Sequence, residues 1–369
     1  MRIGIMSMQR IENYGSFMQS LALKRMIESL GHEVVFVDYK VEPSVALRHN
    51  CKEKYKCRLV RLKRAIKTRG LVKHIYRLLK REHTTDRDTM FACNAMLGIT
   101  DRYRYRRKVD TLVIGSDEVF NCLQNGYTVG YSLELFGKNN RAKKVITYAA
   151  SFGSTTWERL DEYGVSCEIA PLLMGMSALS VRDDNSYYII EKLCNRKAEF
   201  HLDPVLVGGV EAFPWRDHTY ENYVILYGYA NRFSEAECIK IMEFAHQRGK
   251  IVIALGEDQP IRDVHIRCRP DELMMYFRKA SYVFTDTFHG TIFSVINHKT
   301  FLTIIRPGAT GNQQKLSYLM KQLNLEDRLL KDIKEVETAM QRPIDYLQVD
   351  ALRDEEYKRT MEYLNSHLC

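Results

Sequence analysis

The chain has 369 residues and a mass of 43.2 kDa, with 45% hydrophobic and 27% charged residues and a formal net charge of +9. That length exceeds the usual single core and points to two domains, and the composition is that of a soluble globular protein rather than a disordered or fibrous one. No run approaches the ~20 apolar residues of a membrane helix, no signal peptide precedes the first strand pattern, and the nine scattered cysteines form neither a C-x-x-C pair nor a zinc motif, so reduced thiols in the cytoplasm are expected.

The first forty residues read as one βαβ unit. Arg2 to Met6 is a strand and the loop carries Asn13-Tyr14-Gly15. Ser16 to Leu30 places Phe17, Leu21, Met26, Ile27 and Leu30 at helical spacing, Gly31 stops the helix, and Glu33 to Val37 is the next strand. Strand, helix and strand in this order predict a parallel sheet. No G-x-G-x-x-G follows the first strand, so a dinucleotide fingerprint is absent.

Residues 45–108 read as a long basic helical insertion. From Arg48 to Arg81 there are fourteen Lys or Arg against Glu53, a local +13, which leaves −4 for the rest of the chain. With Leu59, Leu62, Ile66 and Leu71 between the charges, residues 48–81 suit peripheral contact with an anionic membrane surface or a polyanion. A solvated helical face with one packed stripe suits the same pattern. No nucleic-acid module accompanies the charges, and no nucleic acid is expected as a partner.

Three further strands end in small polar or charged residues: Thr111 to Ile114 before Gly115-Ser116-Asp117, Lys144 to Ala149 before Ser151, and Ala178 to Val181 before Arg182. Asp203-Pro204 through Phe213-Pro214 is rich in turn formers and reads as the crossing between domains. A second α/β half follows. It has a strand at Tyr223 to Tyr227, a helix from Ser234 to Arg248, a strand at Lys250 to Leu255 and a helix from Pro270 to Lys279. The strand Ala280 to Phe284, a helix from Thr291 to Asn297 and the strand Thr300 to Ile305 complete it. The fold class expected is α/β, with two doubly wound Rossmann-like domains facing a cleft. The boundaries are 1–205, with the insertion at about 45–108, then 206–335, then a C-terminal helical segment at 336–369.

The turn Thr285-Asp286-Thr287-Phe288-His289-Gly290 stands where α/β sheets put their ligands. A helix start there offers backbone N–H groups and a partial positive charge to a phosphate or carboxylate, a histidine can donate to an anion or move a proton, and Gly290 lets a ligand come close to the backbone. A plain helix cap at Thr287 and a core histidine fit the same residues. Arg182 offers a planar fork for phosphate or carboxylate, or a surface ion pair with Asp183 or Asp184. Ser116 and Asp117 suit sugar hydroxyls and also ordinary turns.

Taken in order, these stretches resemble the polysaccharide pyruvyl transferase family from Ile3 to about Arg328. The matching residues are Asn13-Tyr14-Gly15 with Gln19, Val113 to Asp117, Tyr148 to Gly153 including Ser151, Ser180-Val181-Arg182, Asp203-Pro204, Thr285 to Gly290, Lys315-Leu316 to Leu319, and Leu323 to Arg328. The resemblance implies a fold similar to GT-B glycosyltransferases, with residues 206–335 as the donor-binding domain. It also implies phosphoenolpyruvate as co-substrate, no cofactor or metal, and transfer of the carboxyvinyl group to a diol of a glycan or lipid-linked sugar during surface polysaccharide synthesis. His289 and Arg182 are then the catalytic candidates. Asn13, Tyr14, Gly15, Gln19, Ser116, Asp117, Ser151, Asp286, Thr287, Gly290 and Lys315 are the substrate-binding candidates. This chain departs from the family pattern at Thr287, where many relatives carry arginine, at Lys315, where arginine is usual, and at Glu118 and Phe120, where relatives often read Gln and Trp. A glycosyltransferase using a nucleotide sugar and a non-catalytic glycan-assembly protein are the alternatives.

Overall fold

A computed structural model describes residues 1–11, 13–47, 92–124, 130–210, 213–306 and 310–369, together with Leu59 and Leu62. Apart from Leu59 and Leu62, the basic stretch 48–81 lies outside the described residues, as does most of the expected insertion. The chain divides into two compact units, 1–210 with 355–369, and 211–354.

Among the described residues, each unit is built on a six-stranded sheet in which every pairing is parallel. In the first unit the strands are β1 (Arg2–Met6), β2 (Glu33–Phe36), β3 (Thr111–Asp117), β4 (Lys144–Ala150), β5 (Ser180–Val181) and β6 (Glu199–Phe200), in the order β2-β1-β3-β4-β5-β6. Its helices are α1 (Tyr14–Ser29), α2 (Trp157–Glu162), α3 (Ser166–Met174) and α4 (Asp184–Cys194). Ile3, Ile5, Leu112, Val113 and Ile114 are all buried, the unbroken apolar run of strands covered on both faces. Asn13 caps α1 by accepting from the Gly15 N–H at 2.7 Å, and Gly31 follows the helix with φ +82°, a backbone that glycine takes without penalty.

The second unit has β7 (Val224–Tyr227), α5 (Glu235–His246), β8 (Val252–Leu255), β9 (Val264–Ile266), α6 (Leu273–Lys279), β10 (Tyr282–Thr285), α7 (Phe288–Ile296), β11 (Thr300–Ile304), α8 (Thr310–Gln322), β12 (Leu329–Leu330) and α9 (Val336–Gln341). The strand order is β12-β11-β10-β7-β8-β9. Its core gathers Val224, Leu226, Phe244, Val252, Phe284 and Leu302. Each such side chain contributes about 1.5–3 kcal/mol on burial, and Phe244 meets Phe284 edge-on at 5.6 Å. Of the strands of two or three residues, β6, β9 and β12 are too short for any periodicity to announce them, whereas β5 is marked by the run Ala178 to Val181.

Two helices begin earlier than the sequence suggests, the first of them α1, at Tyr14 instead of Ser16. Helix α7 starts at Phe288 instead of Thr291, because the Thr287 hydroxyl caps it and draws Phe288, His289 and Gly290 into the first turn. The last helix, α10, runs from Tyr346 to Leu368. Its end docks on the first unit: Tyr363 Oη donates to the Thr147 carbonyl at 2.7 Å, and Thr111 Oγ1 donates to the Leu368 carbonyl at 2.8 Å. Arg328, inside the last stretch of the resemblance, is fully buried, pairs with Asp327 and donates to the Arg342 carbonyl at 3.1 Å, which makes it a tie between turns.

Candidate active site

Because every strand pairing is parallel, the carboxyl ends of the strands within a sheet share one edge, and the loops leaving them form a common rim. In the first unit that rim carries Asn13 to Gln19 after β1, Ser116 and Asp117 at the end of β3, Ser151 after β4, Arg182 after β5 and Asp203 after β6. Hydrogen bonds join most of them. Ser16 Oγ donates to Asp117 Oδ2 at 3.1 Å, and Arg182 donates from Nη2 to Asp117 Oδ1 at 3.2 Å and from Nη1 to Asp203 Oδ2 at 3.1 Å. The pairing expected with Asp183 or Asp184 does not form. Asp183 caps α4 instead, accepting from the Ser186 N–H at 2.8 Å and from Ser151 Oγ at 2.6 Å.

The Arg182 side chain is 3% exposed and that of Asp117 13%, so the carboxylate of Asp117 is the more open end of this chain of charges. Burial works against the Arg182 charge, but Asp117 and Asp203 outweigh it and raise its pKa, so the guanidinium stays protonated. Ser116 is fully buried and donates to Asp203 Oδ2 at 3.4 Å. Gln19 is equally sealed; its amide donates to Ser7 Oγ at 2.9 Å, and Ser7 donates to the Ser116 carbonyl at 2.9 Å. These two hold α1, β1 and β3 in register under the rim. Tyr14 is half-buried in the first turn of α1, and Gly15 is buried there.

The backbone at this rim is unusual. Gly115 has φ +123°, and a Cβ there would lie 2.1 Å from the Tyr148 carbonyl oxygen, so only glycine fits. Asp117 at φ +83° and Ala149 at φ +45° occupy the left-handed half of backbone space without glycine's freedom. Such residues cost roughly 1–3 kcal/mol each and gather where a site imposes its geometry.

The second rim holds Asp286, Thr287, His289 and Gly290. Thr287 Oγ1 accepts from the Gly290 N–H at 2.9 Å and lies 3.1 Å from Thr285 Oγ1. A Cβ on Gly290 would stand 2.2 Å from Thr285 Oγ1 and 2.7 Å from Tyr227 Cδ1. The packing of the first turn of α7 against β10 and β7 therefore calls for a glycine here. His289 is half-buried on that turn, next to Phe293 at 6.0 Å between ring centres. Lys315 is half-buried on α8.

Asp286 is almost fully buried and takes two arginines on one oxygen: Arg306 Nη1 at 2.6 Å and Arg232 Nε at 2.8 Å from Oδ2. Burial pushes its carboxyl above the ordinary range, and the two guanidiniums oppose that rise. Arg306 also donates from Nη2 to both oxygens of Glu237, at 3.1 and 3.0 Å. Glu237 belongs to the capping box of α5 with Ser234. Among the described residues no group of three or more His, Cys, Asp or Glu is arranged to hold a metal ion, and no helix is long and apolar enough to cross a membrane.

The sequence profile of the polysaccharide pyruvyl transferases matches residues 13–306, spanning both rims. The chain belongs to that family. No curated protein matches it. Among solved structures it is similar to a protein of Listeria monocytogenes described as a UDP-N-acetylglucosamine 2-epimerase, with 9% identity, a TM-score of 0.51, and coverage of 100% of this chain and 96% of that one. It is also similar to MnaA of S. aureus, solved with UDP, at 7% identity and a TM-score of 0.50, covering 100% of this chain and 95% of that one. At such identity the likeness speaks for the fold alone: two Rossmann-like units of the GT-B kind.

The family match takes in Asp117, Arg182, Thr287 and His289. The structure adds Asp203, Arg232, Arg306 and Glu237, which sequence reading did not count as site residues. A signal for three of them was present, since Asp203 opens the matching stretch Asp203-Pro204. Arg306 closes the apolar run of β11 as Arg182 closes that of β5, and Arg232 lies in the loop just after β7. Strand-end position alone could have drawn attention to both.

Proposed function

We propose that the protein transfers the carboxyvinyl group of phosphoenolpyruvate onto two hydroxyls of a glycan or lipid-linked sugar, giving a pyruvate ketal and inorganic phosphate in bacterial surface polysaccharide synthesis. The observation that carries this reading is the family match over 13–306 together with His289 on the first turn of a capped helix at the second rim. A helix start, a histidine and arginines are apt receptors for a donor with one phosphate and one carboxylate.

The chemistry balances as an addition followed by a displacement. A proton goes to the methylene carbon of the donor while the first sugar hydroxyl bonds to the central carbon and gives up its own proton. The second hydroxyl then bonds to the same carbon, and the C–O bond to phosphate breaks with its electron pair leaving on phosphate. Both hydroxyl protons are accounted for, one in the new methyl group and one on the released phosphate. His289 is assigned the proton transfers and the phosphate contact, an acid–base role worth on the order of 10²–10⁴-fold. Asp117, the open end of the first rim's charges, is assigned to accept from a sugar hydroxyl, with Arg182 positioning it.

The enzyme is proposed to work in the cytoplasm, with the basic stretch 48–81 drawing it to the anionic inner face of the cell membrane at about 1 kcal/mol per Lys or Arg near the surface. The test is phosphate release from phosphoenolpyruvate in the presence of sugar acceptors, with the ketal product read by mass. The wild-type protein should release phosphate without any nucleotide sugar, and His289→Ala should lose about 10²–10⁴-fold of that rate. Near-normal turnover by the variant would sink the assignment of His289. Release of nucleotide from a nucleotide sugar, with phosphoenolpyruvate untouched, would replace the reading with glycosyl transfer.

A further inference from the structure

Arg232 is mounted in a way that a surface arginine ordinarily is not. Its Nε is held at 2.8 Å from Asp286 Oδ2, while 36% of the side chain stays exposed. Among the described residues, neither of its terminal nitrogens is given a hydrogen-bond acceptor on the protein. A guanidinium can grip an anion along its side, through Nε and one Nη, or end-on, through both Nη groups. Here Nε is engaged with Asp286, and among the described residues the terminal nitrogens make no hydrogen bond to the protein.

The mount is itself braced. Arg306 holds the same Asp286 oxygen at 2.6 Å and is tied in turn to Glu237 at 3.0 Å. In this row of alternating charges Asp286 is 1% exposed and Glu237 15%, so neither acid is much open to solvent. Arg306, 25% exposed, has both Nη groups bonded to these acids, which leaves the end-on fork of Arg232 as the donor set in this row with no protein acceptor among the described residues. Fixing that fork in advance removes much of the rotamer entropy that a free arginine loses on binding.

Its location matters as much. Asp286 directly precedes Thr287, the cap of α7, so the fork is anchored beside a helix start with His289 on its first turn. Thr287 cannot supply a positive charge, and its hydroxyl is committed to the Gly290 N–H.

We propose that Arg232 is the anion-binding contact of the second unit, taking the carboxylate or phosphate of the donor end-on, with Asp286, Arg306 and Glu237 as positioning residues. The proposal rests on the pyruvyl transferase reading of the same unit. In this chain the charge that relatives place at position 287 is delivered from the loop after β7.

Binding of phosphoenolpyruvate to the full-length protein by calorimetry, alongside inorganic phosphate, tests it. Arg232→Ala should raise the Kd for phosphoenolpyruvate about 10–100-fold, the size of a lost charge-assisted bond pair, and Arg232→Lys should recover part of that loss. Weakening of both ligands would put the phosphate on Arg232, and weakening of phosphoenolpyruvate alone would put the carboxylate there. In turnover, Arg232→Ala should act mainly on KM for the donor, whereas His289→Ala acts on kcat. Should Arg232→Ala misfold, Arg232→Gln keeps the length of the side chain and answers the same question. If the wild type binds phosphoenolpyruvate and the Arg232 variants bind it equally well, the proposal is overturned and the pyruvyl transferase reading stands. If the wild type itself fails to bind at millimolar concentrations, that reading falls and takes the proposal with it.

Discussion

The two rims use the same residue types in opposite ways. In the first unit Arg182 is 3% exposed and spans Asp203 and Asp117, and His201 is sealed between Tyr363 and Tyr148 at 4.6 and 5.7 Å. In the second, Arg232 is 36% exposed and His289 is half-buried on a helix start. A buried arginine between carboxylates shapes the backbone around it and has little left to give a ligand. An arginine held by one atom keeps its fork for something else. The difference teaches that residue type at a strand end does not settle its role; the number of protein partners does.

The contrast is most exposed to failure at Arg182. Arg182→Met should lower stability by roughly 3–5 kcal/mol, because two carboxylates are left in the interior without their cation. Arg232→Met should cost within about 1 kcal/mol in the absence of ligand, as a part-exposed pair does. Thermal unfolding of both variants decides it, and equal losses would erase the distinction between frame and contact.

The histidines offer a test of the same contrast by pH. Burial, then the nearby Arg359, lowers the His201 pKa from 6.5 to about 4, so the folded state keeps the ring neutral while the unfolded chain takes up a proton below 6.5. This contribution is complete above pH 6.5 and is lost as pH falls toward 4, at a size on the order of 3 kcal/mol. Unfolding measured from pH 7 to 4 should show a shallower loss in His201→Gln than in the wild type. An unchanged slope would mean that His201 is not the sealed group its surroundings describe.

The smallest effect concerns the cap. Thr287→Ala removes the acceptor of the Gly290 N–H and should cost about 1 kcal/mol, while Thr287→Ser should cost only a few tenths. If alanine and serine behave alike in thermal unfolding, the hydroxyl is not holding the first turn that carries His289.

Much of this was legible residue by residue. Strands β1, β3, β4, β7, β10 and β11 announce themselves as apolar runs because buried parallel strands need no polar alternation. Thr287 as a cap and Gly31 as a stop follow from local backbone chemistry. The short strands β6, β9 and β12 and the helices α2 and α3 carry too few residues for a pattern. Gly290 was legible as special, yet its reason was not. The atoms that demand a glycine, Thr285 Oγ1 and Tyr227 Cδ1, come together only when β7 and β10 pair. The docking of α10 was illegible for the same reason, since Tyr363 bonds to Thr147 across 216 positions.

The sequence by itself determined the alternation of strands and helices, the polar strand ends, the capped turn bearing His289 and membership of the pyruvyl transferase family. All of these depend on neighbours within a few residues or on motifs in order. Only the tertiary structure decided which charges meet. Arg182 finds Asp203 and Asp117 across 21 and 65 positions, and Arg306 finds Asp286 and Glu237 across 20 and 69. Those partners are set by which strands lie side by side, β10 between β7 and β11 in the second sheet. Coulomb attraction and desolvation act over a few ångströms of space, whatever the distance along the chain.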